Sequence, residues 1–308
     1  SISNKLLSKG YKVIGIDNLN KYYDYVYKLN RLKLLKKNKN FVFHRADITN
    51  YKKLNKILIK KKFNKILHLA AQPGVQYSFK NPESYLKNNI NGFLNILKIS
   101  KVKKCKHFLF ASSSSVYGLN SKYPLKENQR VDRPISIYSM SKRSNELMAH
   151  VYAHNYKIPV TGLRFFTVYG PFGRPDMAVI KFIDGVNKGK KIKLYNSGKN
   201  IRDLTFIDDA VSMVTSLINK KTSLAKKNFE LFNIGTSKTI SFLNLIKIIE
   251  KIIKKKANKK FLPPLKGDVS KTYADMSYLK KTIHKIPQTT YYEGLKQTID
   301  WYLRYKKK

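Results

Sequence analysis

The sequence predicts an α/β fold, in which a doubly wound parallel sheet is followed by a smaller, mixed α/β domain. Three observations carry this prediction. Runs rich in β-branched and apolar residues recur along residues 11–168, and helical patterns separate them. Several runs are apolar almost without interruption, which is typical of parallel strands covered by helices on both faces. After residue 168 the alternation loosens and Gly and Pro become frequent, as in "YGPFGRPDM".

Residues 1–168 alternate regularly between the two kinds of element. A helix-like start closed by Gly10 is followed by strands at "YKVIGID", "FVFHRAD", "KILHLAA", "HFLFASS" and "PVTGLRFF". Helices are predicted between them, at residues 51–61, at residues 82–100 and in the segment that carries Tyr138. This order predicts a Rossmann-like domain.

Residues 169–308 are predicted to form the smaller domain, partly interleaved with the first. A helix is expected near residues 180–188 and an amphipathic helix from Ser241 onward. Between them lie the segments "KIKLYNSG", "RDLTFIDDAVSMVTSLI" and "FELFNIG", of which the last is predicted to be a strand.

Lysine dominates the charge of this chain of 308 residues, whose formal net charge is +45. Of its 63 basic residues, 54 are Lys and 9 are Arg. A charge of this size can indicate nucleic acid or an anionic membrane as a partner. The lysines occur along every segment, however, and no RNA-binding aromatic signature accompanies them, so a solvated surface is favoured over a nucleic-acid-binding face.

A single cysteine, Cys105, excludes an intramolecular disulfide and fits a reducing compartment, which predicts the cytoplasm. No apolar run reaches the roughly 18 residues needed to span a bilayer, so no membrane segment is expected. The chain opens with Ser1, inside a helix-like segment, which predicts that a segment upstream is missing.

The stretch "PISIYSMSK" places Tyr138 four residues before Lys142, so that on a helix the two side chains share a face. An ammonium there favours phenolate, and lowering a tyrosine pKa of about 10 by about 3 units requires roughly 4 kcal/mol. The earlier stretch "ASSSSVYG" ends a strand with hydroxyls that can bond both a substrate oxygen and the tyrosine. The two stretches together predict an acid–base site.

Seven blocks extend this pattern over essentially the whole chain: "GIDNLNKYYD", "HLAAQPGVQYS", "ASSSSVYGLN", "YSMSKRSNELMAH", "LRFFTVYGPFGRPDMA", "RDLTFIDD" and "KGDVSKTYAD". In this order they resemble the extended short-chain dehydrogenase/reductases, and within them the NAD-dependent nucleotide-sugar epimerases. The resemblance is strongest to UDP-glucuronate 4-epimerases. It implies NAD as cofactor, a UDP-sugar as substrate and a homodimer built by the helix of Tyr138 and the helix before it.

The resemblance also implies roles for individual residues. Ser113, Tyr138 and Lys142 match the catalytic positions, with a bound nicotinamide ring adding positive charge near the tyrosine. Asp17 is expected to hold the adenosine ribose and to favour NAD over NADP, whose phosphate it would repel. The remaining matches to cofactor contacts are Asn18, Asp47, Ile48, Leu69, Ala70, Ala71, Asn88 and Phe166.

The substrate side draws on arginines, which are scarce in this chain. Arg164, Arg174 and Arg202 fall within 39 residues, and a fork-shaped donor suits a diphosphate. Of these, Arg164 is taken as structural. The resemblance implies nucleotide-binding roles for Arg174, Tyr195, Arg202 and Asp268, with Tyr195 against the uracil. Ser114, Ser115 and Thr167 are expected to hold the carboxylate of the sugar.

Some features depart from this pattern or are discounted. In the family a first strand and a glycine-rich loop precede the position of Ser1, so the chain as given is expected to bind NAD poorly. Gln76 stands where many relatives carry arginine, which weakens a role for this position in neutralising an acidic sugar. His150 and His154 lack a third ligand, so no metal site is predicted, and Cys105 is expected to be inert.

The expected reaction is NAD-dependent 4-epimerisation of a UDP-sugar, with UDP-glucuronate and UDP-galacturonate as the favoured pair. UDP-galactose 4-epimerase and UDP-glucuronate decarboxylase remain alternatives. A sugar 4,6-dehydratase is disfavoured, because it needs an extra acid–base pair where "SSSSVYG" offers only hydroxyls. An inactive basic protein that binds nucleic acid or a partner remains an alternative of a different class.

Overall fold

A computed structural model describes residues 1–120, 122–220, 228–283 and 286–306. The strands are β1 (Val13–Asp17), β2 (Phe41–Arg45), β3 (Lys65–His68), β4 (His107–Ser113), β5 (Val160–Phe165), β6 (Thr167–Tyr169), β7 (Ile192–Tyr195), β8 (Ile201–Arg202), β9 (Leu204–Phe206), β10 (Phe229–Ile234), β11 (Ile240–Ser241) and β12 (Lys259–Leu262). The α-helices are α1 (Ile2–Ser8), α2 (Val26–Lys36), α3 (Tyr51–Leu58), α4 (Val75–Lys80), α5 (Glu83–Tyr85), α6 (Phe93–Val102), α7 (Ile137–Tyr156), α8 (Ala178–Lys188), α9 (Ile207–Asn219), α10 (Phe242–Ile253), α11 (Ser277–Thr282) and α12 (Tyr291–Lys306).

The larger sheet is parallel and has the strand order β10-β5-β4-β3. Consecutive residues of its central strands point to opposite faces. Phe108 and Phe110 pack with apolar residues of α6 and α7, whereas Leu109 packs with α9. Helices therefore cover both faces, and the predicted doubly wound α/β architecture is confirmed.

Strands β1 and β2 form a separate parallel pair, in which Asp17 lies beside Arg45. Among the described residues this pair is not hydrogen-bonded to the larger sheet. The acidic ends of the two strands are nevertheless adjacent: Ala46 N–H donates to the Asp17 carbonyl over 3.2 Å, and Asp47 follows directly.

The segment "FELFNIG" is a strand as predicted, and it lies in the larger sheet rather than beside β7 and β12. It forms β10, which pairs in parallel with β5 at the edge of the larger sheet. The second half of this strand is buried against α9 and α11. Its residues Phe232 and Ile234 belong to an apolar cluster that also contains Leu163 of β5 and Met213 of α9. The chain therefore returns to the larger sheet after residue 168.

The predicted helix at residues 82–100 is three segments in succession. Helix α5 passes into a π-helical segment, Leu86–Gly92, which continues as α6. The side chain of Asn89 in this segment accepts from Gln72 N–H (2.7 Å) and donates to the Ser141 hydroxyl on α7 (2.9 Å). The π-helical segment therefore links α7 to the loop after β3.

A buried ion pair fixes α7 against the sheet. Arg164 on β5 is 1% exposed and donates two hydrogen bonds to Glu146 on α7, of 2.8 and 2.9 Å. Ser112 on β4 donates to the same carboxylate over 2.6 Å. The structural role expected for Arg164 is confirmed by this geometry, since all its charge is matched within the core.

The second unit is built around the parallel pair β7 and β12. Helices α8, α10 and α12 pack there through a single apolar cluster that includes Ile183, Leu194, Ile249 and Leu295. Within the described ranges, no helix is both long and apolar enough to cross a membrane.

Candidate active site at the ends of the parallel strands

The N-terminus of α7 sets the position of Tyr138. Ser136 caps the helix by accepting from Ser139 N–H, while the Ser139 hydroxyl accepts from Ser136 N–H (3.1 Å each). This reciprocal bonding satisfies two backbone donors at the start of the helix. Tyr138 consequently lies in the first turn, and Lys142 lies one turn later on the same face.

Lys142 is a buried cation held against the sheet. Its side chain is 4% exposed, and its ammonium donates to the carbonyl of Ala111 on β4 over 2.8 Å. Burial lowers the pKa of Lys142 to about 8. His68, at the end of β3, is buried nearby, and burial lowers its pKa to about 3, so that it stays neutral beside the lysine.

Burial raises the pKa of Tyr138 above its ordinary value, although a hydrogen bond from the Ser113 hydroxyl and the charge of Arg174 act in the opposite direction. The expected lowering of this pKa depends on the nicotinamide ring as well as on Lys142, and it stays a prediction. The ammonium of the lysine donates its hydrogen bond to Ala111. In the protein by itself Tyr138 is therefore a neutral phenol at neutral pH.

A cleft beside β1 and β3 collects most of the residues predicted to contact the cofactor. Its walls come from the ends of these strands and from the π-helical segment. Six of the nine predicted residues line it, namely Asp17, Asn18, Ile48, Ala70, Ala71 and Asn88. The lining combines small residues with amides and a carboxylate, which suits a ligand with ribose hydroxyls approaching the backbone closely.

The other three predicted cofactor residues lie outside this lining. Asp47 contacts the lining residue Asn18, from whose side chain it accepts a hydrogen bond of 2.8 Å. Leu69 is 43% exposed beside Ala70, whereas Phe166 is 3% exposed and packs in the apolar core near Tyr117. The side chain of Phe166 therefore has a packing role here.

Sequence reasoning missed a group of tyrosines that leads from Tyr138 to the loop after β1. Successive ring centroids are 6.1 Å apart between Tyr138 and Tyr85, 6.3 Å between Tyr85 and Tyr77, and 5.0 Å between Tyr77 and Tyr22. The buried hydroxyl of Tyr85 lies within hydrogen-bonding distance of the carbonyls of Pro73 and Gly74. No local pattern marks these residues, because each lies on a different element.

Both arginines predicted to bind a diphosphate are ion-paired with aspartates. Arg174 contacts Asp176 over 3.2 Å and lies close enough to Tyr138 to lower its pKa. Arg202 contacts Asp268 over 2.8 Å, which brings together two residues predicted to bind the nucleotide. Tyr195 ends β7, half-buried, just before the turn that carries Asn196.

The hydroxyl residues predicted around the sugar meet at the end of β4. Ser113 lies beside Phe165 in the register of β4 and β5, and Thr167 follows two residues later. The Ser113 hydroxyl accepts from both the backbone N–H (3.2 Å) and the hydroxyl (3.0 Å) of Ser115. Ser114 and Ser115 begin the 3-10 turn that follows β4.

The histidines and the cysteine lie away from this site. His150 and His154 stack on α7 with ring centroids 6.5 Å apart, and among the described residues no group of three or more acidic, His or Cys side chains could hold a metal ion. Cys105 is buried, and burial raises its pKa to about 11, in agreement with an inert thiol.

Comparisons with known proteins place the chain in a family. The model of the GDP-mannose 4,6 dehydratase family matches residues 2–298. UDP-glucuronate 4-epimerase of Thermodesulfobacterium geofontis is 40% identical over 297 residues, which cover 96% of this chain and 90% of that protein.

Solved structures agree with this placement. The crystal structure of UDP-glucuronic acid 4-epimerase from Bacillus cereus in complex with UDP-glucuronic acid and NAD aligns with a TM-score of 0.91 at 33% identity, covering 99% of this chain and 95% of that one. UDP-glucose 4-epimerase from Thermotoga maritima with UDP-glucose aligns with a TM-score of 0.89 at 30% identity, with the same coverage. The chain therefore belongs to the GDP-mannose 4,6 dehydratase family, among the NAD-dependent extended short-chain dehydrogenase/reductases that include the UDP-sugar 4-epimerases.

Proposed function

We propose that this protein is an NAD-dependent epimerase that inverts C4 of a UDP-sugar and interconverts UDP-glucuronate and UDP-galacturonate. The observation that carries the proposal is the convergence of Tyr138, Lys142 and Ser113 at the end of β4, within the same set of strand ends as the cofactor cleft. The similarity to the Bacillus cereus enzyme, which holds UDP-glucuronic acid and NAD, favours the uronate pair.

NAD bound in this cleft would supply reversible hydride transfer at C4 of the sugar. The donors and acceptors fit such a ligand. Asp17 ends β1 with an exposed side chain; one of its oxygens accepts from Leu19 N–H over 2.6 Å, and the other has no hydrogen-bond partner among the described residues. Asn88 and the alanines after β3 also line the cleft.

Tyr138 is proposed to accept the proton of the C4 hydroxyl and to return a proton to the same oxygen later. Ser113 would bond the substrate oxygen and hold it in line with the phenol. Because burial raises the pKa of Tyr138, the protein by itself keeps the phenol protonated. Activation therefore requires positive charge from the bound cofactor in addition to that of the buried ammonium of Lys142.

An acidic sugar places a special demand on the site. A ketone at C4 lies β to the C6 carboxylate, and β-keto acids lose carbon dioxide readily. Ser114, Ser115 and Thr167 are proposed to hold the carboxylate so that the bond to C5 cannot align with the ketone. Each hydrogen bond to a charged group contributes roughly 1.5–3 kcal/mol, so two or three of them would favour the acid over a neutral hexose.

The test of the function is substrate preference. The protein should turn over UDP-glucuronate with a higher kcat/KM than UDP-glucose or UDP-galactose, measured by chromatography of the products, and should release UDP-galacturonate without loss of carbon dioxide. A preference for either neutral hexose would favour UDP-galactose 4-epimerase. No turnover on any UDP-hexose, with salt-dependent binding of duplex DNA, would favour the inactive basic protein.

A variant of this experiment tests the carboxylate clamp. Thr167→Ala should release a UDP-4-keto-pentose, detected by mass spectrometry as a product lighter than UDP-glucuronate by one carbon dioxide and two hydrogens, with the hydride left on the cofactor as NADH. Thr161→Ala is the matched control, because Thr161 lies on the preceding strand, buried and bonded to His107 over 2.9 Å. If Thr167→Ala loses rate without forming this product, the clamp lies elsewhere.

Asp17 is proposed to select NAD, and Asp17→Ala should narrow the preference for NAD over NADP by about tenfold. Lys28 lines the same cleft, so removal of the carboxylate would leave a cation facing the added phosphate of NADP. The ratio of kcat/KM after reconstitution with each cofactor measures the change. Asp24→Ala, in the exposed part of the same loop, should leave the ratio unchanged, and equal use of both cofactors by the wild type would contradict this role.

We also propose a homodimer and a cytoplasmic location. Leu147 and Val151 lie one turn apart on α7 and are 53% and 52% exposed, and Leu86 on the neighbouring π-helical segment is 48% exposed. An apolar stripe on two adjacent helices suits a helical interface. Sedimentation at the mass of one 35.8 kDa chain would exclude the dimer. The single cysteine supports the reducing compartment, which cell fractionation tests.

A further inference from the structure

A short turn that follows β12 contacts helix α4. Residues 265–268, here called the strap, form a turn closed by a hydrogen bond from Asp268 N–H to the carbonyl of Leu265 (3.2 Å). Gly267 has a φ of 72°, in the left-handed region that glycine favours and that a turn can require at its third position. The strap therefore holds the carbonyl of Lys266 in a defined direction.

Helix α4 meets the strap through three contacts. The amide of Gln76 donates to the carbonyl of Lys266 over 2.8 Å, and the Lys266 ammonium lies 5.4 Å from the ring centroid of Phe79. A Cβ on Gly267 would lie 2.7 Å from that ring and 3.3 Å from the carbonyl of Ile135, so the strap backbone lies directly against both. Ile135 lies just before α7, and the strap therefore also touches the entry to that helix.

The last residue of the strap belongs to the pair predicted to bind the nucleotide. Asp268 forms the ion pair with Arg202 (2.8 Å) and accepts from Asn200 over 3.2 Å. Arg202 is 7% exposed and lies over the ring of Phe242, 5.5 Å from its centroid. The side chain of Asp268 is thus held by Arg202 and Asn200, and its backbone is held by the turn of the strap.

From this geometry we propose that Gln76 and Phe79 are positioning residues for the nucleotide half of the substrate. Helix α4 fixes the strap, and the strap fixes the Asp268–Arg202 pair that would bind UDP. This inference rests on the proposed function. It also gives Gln76 a role, because its amide donates to the strap next to the Asp268–Arg202 pair. This contact would couple helix α4 to that pair when the nucleotide binds.

Gln76→Met tests the inference, because methionine keeps the length of the side chain and removes the donor. The Kd for UDP, measured by calorimetry on the whole chain, should rise about fivefold, and Gln76→Met with Phe79→Ala should raise it further. KM for the UDP-sugar should rise with Kd while kcat at saturation stays unchanged, because the strap does not touch Tyr138 or Lys142. Phe79→Tyr, which keeps the ring, should bind UDP as the wild type does.

Lys80→Ala is the control, because this exposed residue ends the same helix. A Kd for Gln76→Met equal to that of Lys80→Ala would overturn the inference and leave the proposed function intact. Loss of kcat without a change in KM would likewise overturn it. If the wild type itself fails to bind UDP, the proposed function fails instead. Gln76 is exposed, so Gln76→Met should fold, and an unchanged melting temperature checks this.

Discussion

Replacing Tyr138 by phenylalanine should abolish turnover, by about a thousandfold or more, while UDP binding stays nearly intact. The change removes the hydroxyl that exchanges a proton with C4 and little else, and proton transfer by a positioned group contributes typically 10²–10⁴-fold. Product formation from UDP-glucuronate and the Kd for UDP are the two measurements. The capping pair at the start of α7 is untouched, so the helix should remain in place.

The control for this variant is the same substitution on the same helix, Tyr152→Phe, at a tyrosine that packs against Tyr156 at the other end of α7. It should retain full turnover. Near-normal activity of Tyr138→Phe would show that another group is the base. Loss of UDP binding together with loss of the native circular dichroism spectrum would instead make Tyr138 a structural residue.

Lys142→Met should also be severe, lowering kcat by at least about a hundredfold and weakening NAD binding. The phenol would lose the buried ammonium that lies one turn away on its helix face, and the pKa of Tyr138 is already raised by burial. Single-turnover kinetics and a titration with NAD separate the two effects. An active Lys142→Met enzyme would refute the phenolate argument, and Lys98→Met, on exposed surface of α6, is the control.

The same variant should be at least as stable as the wild type at neutral pH. Burial lowers the pKa of Lys142 in the folded state to about 8, from 10.5. Between these two pKa values the unfolded chain binds more protons than the folded one. The contribution of Lys142 to the free energy of unfolding therefore rises with pH across that window. Thermal unfolding of the wild type from pH 8 to pH 10 should show the rise, and Lys142→Met should flatten it.

Local pattern was sufficient for the fold class and for the helix that carries Tyr138 and Lys142. The alternation of apolar strands and helices is visible in each short segment, because burial on both faces of a parallel strand requires an unbroken apolar run. The spacing of Tyr138 and Lys142 fixes a shared helix face as soon as α7 forms. The cap at Ser136 and the hydroxyls at the end of β4 follow from the same local rules.

Tertiary structure decided how the site is assembled. Only the fold shows that β10 joins the first sheet, that Lys142 bonds Ala111, and that burial keeps Tyr138 protonated in the protein alone. The contact between Gln76 and the strap joins residues 190 positions apart. Such contacts leave no periodic signal, because they depend on which elements come together when the chain packs. Local sequence pattern marks the candidate residues, whereas packing sets their protonation and their partners, since desolvation and distance exist only in the folded protein.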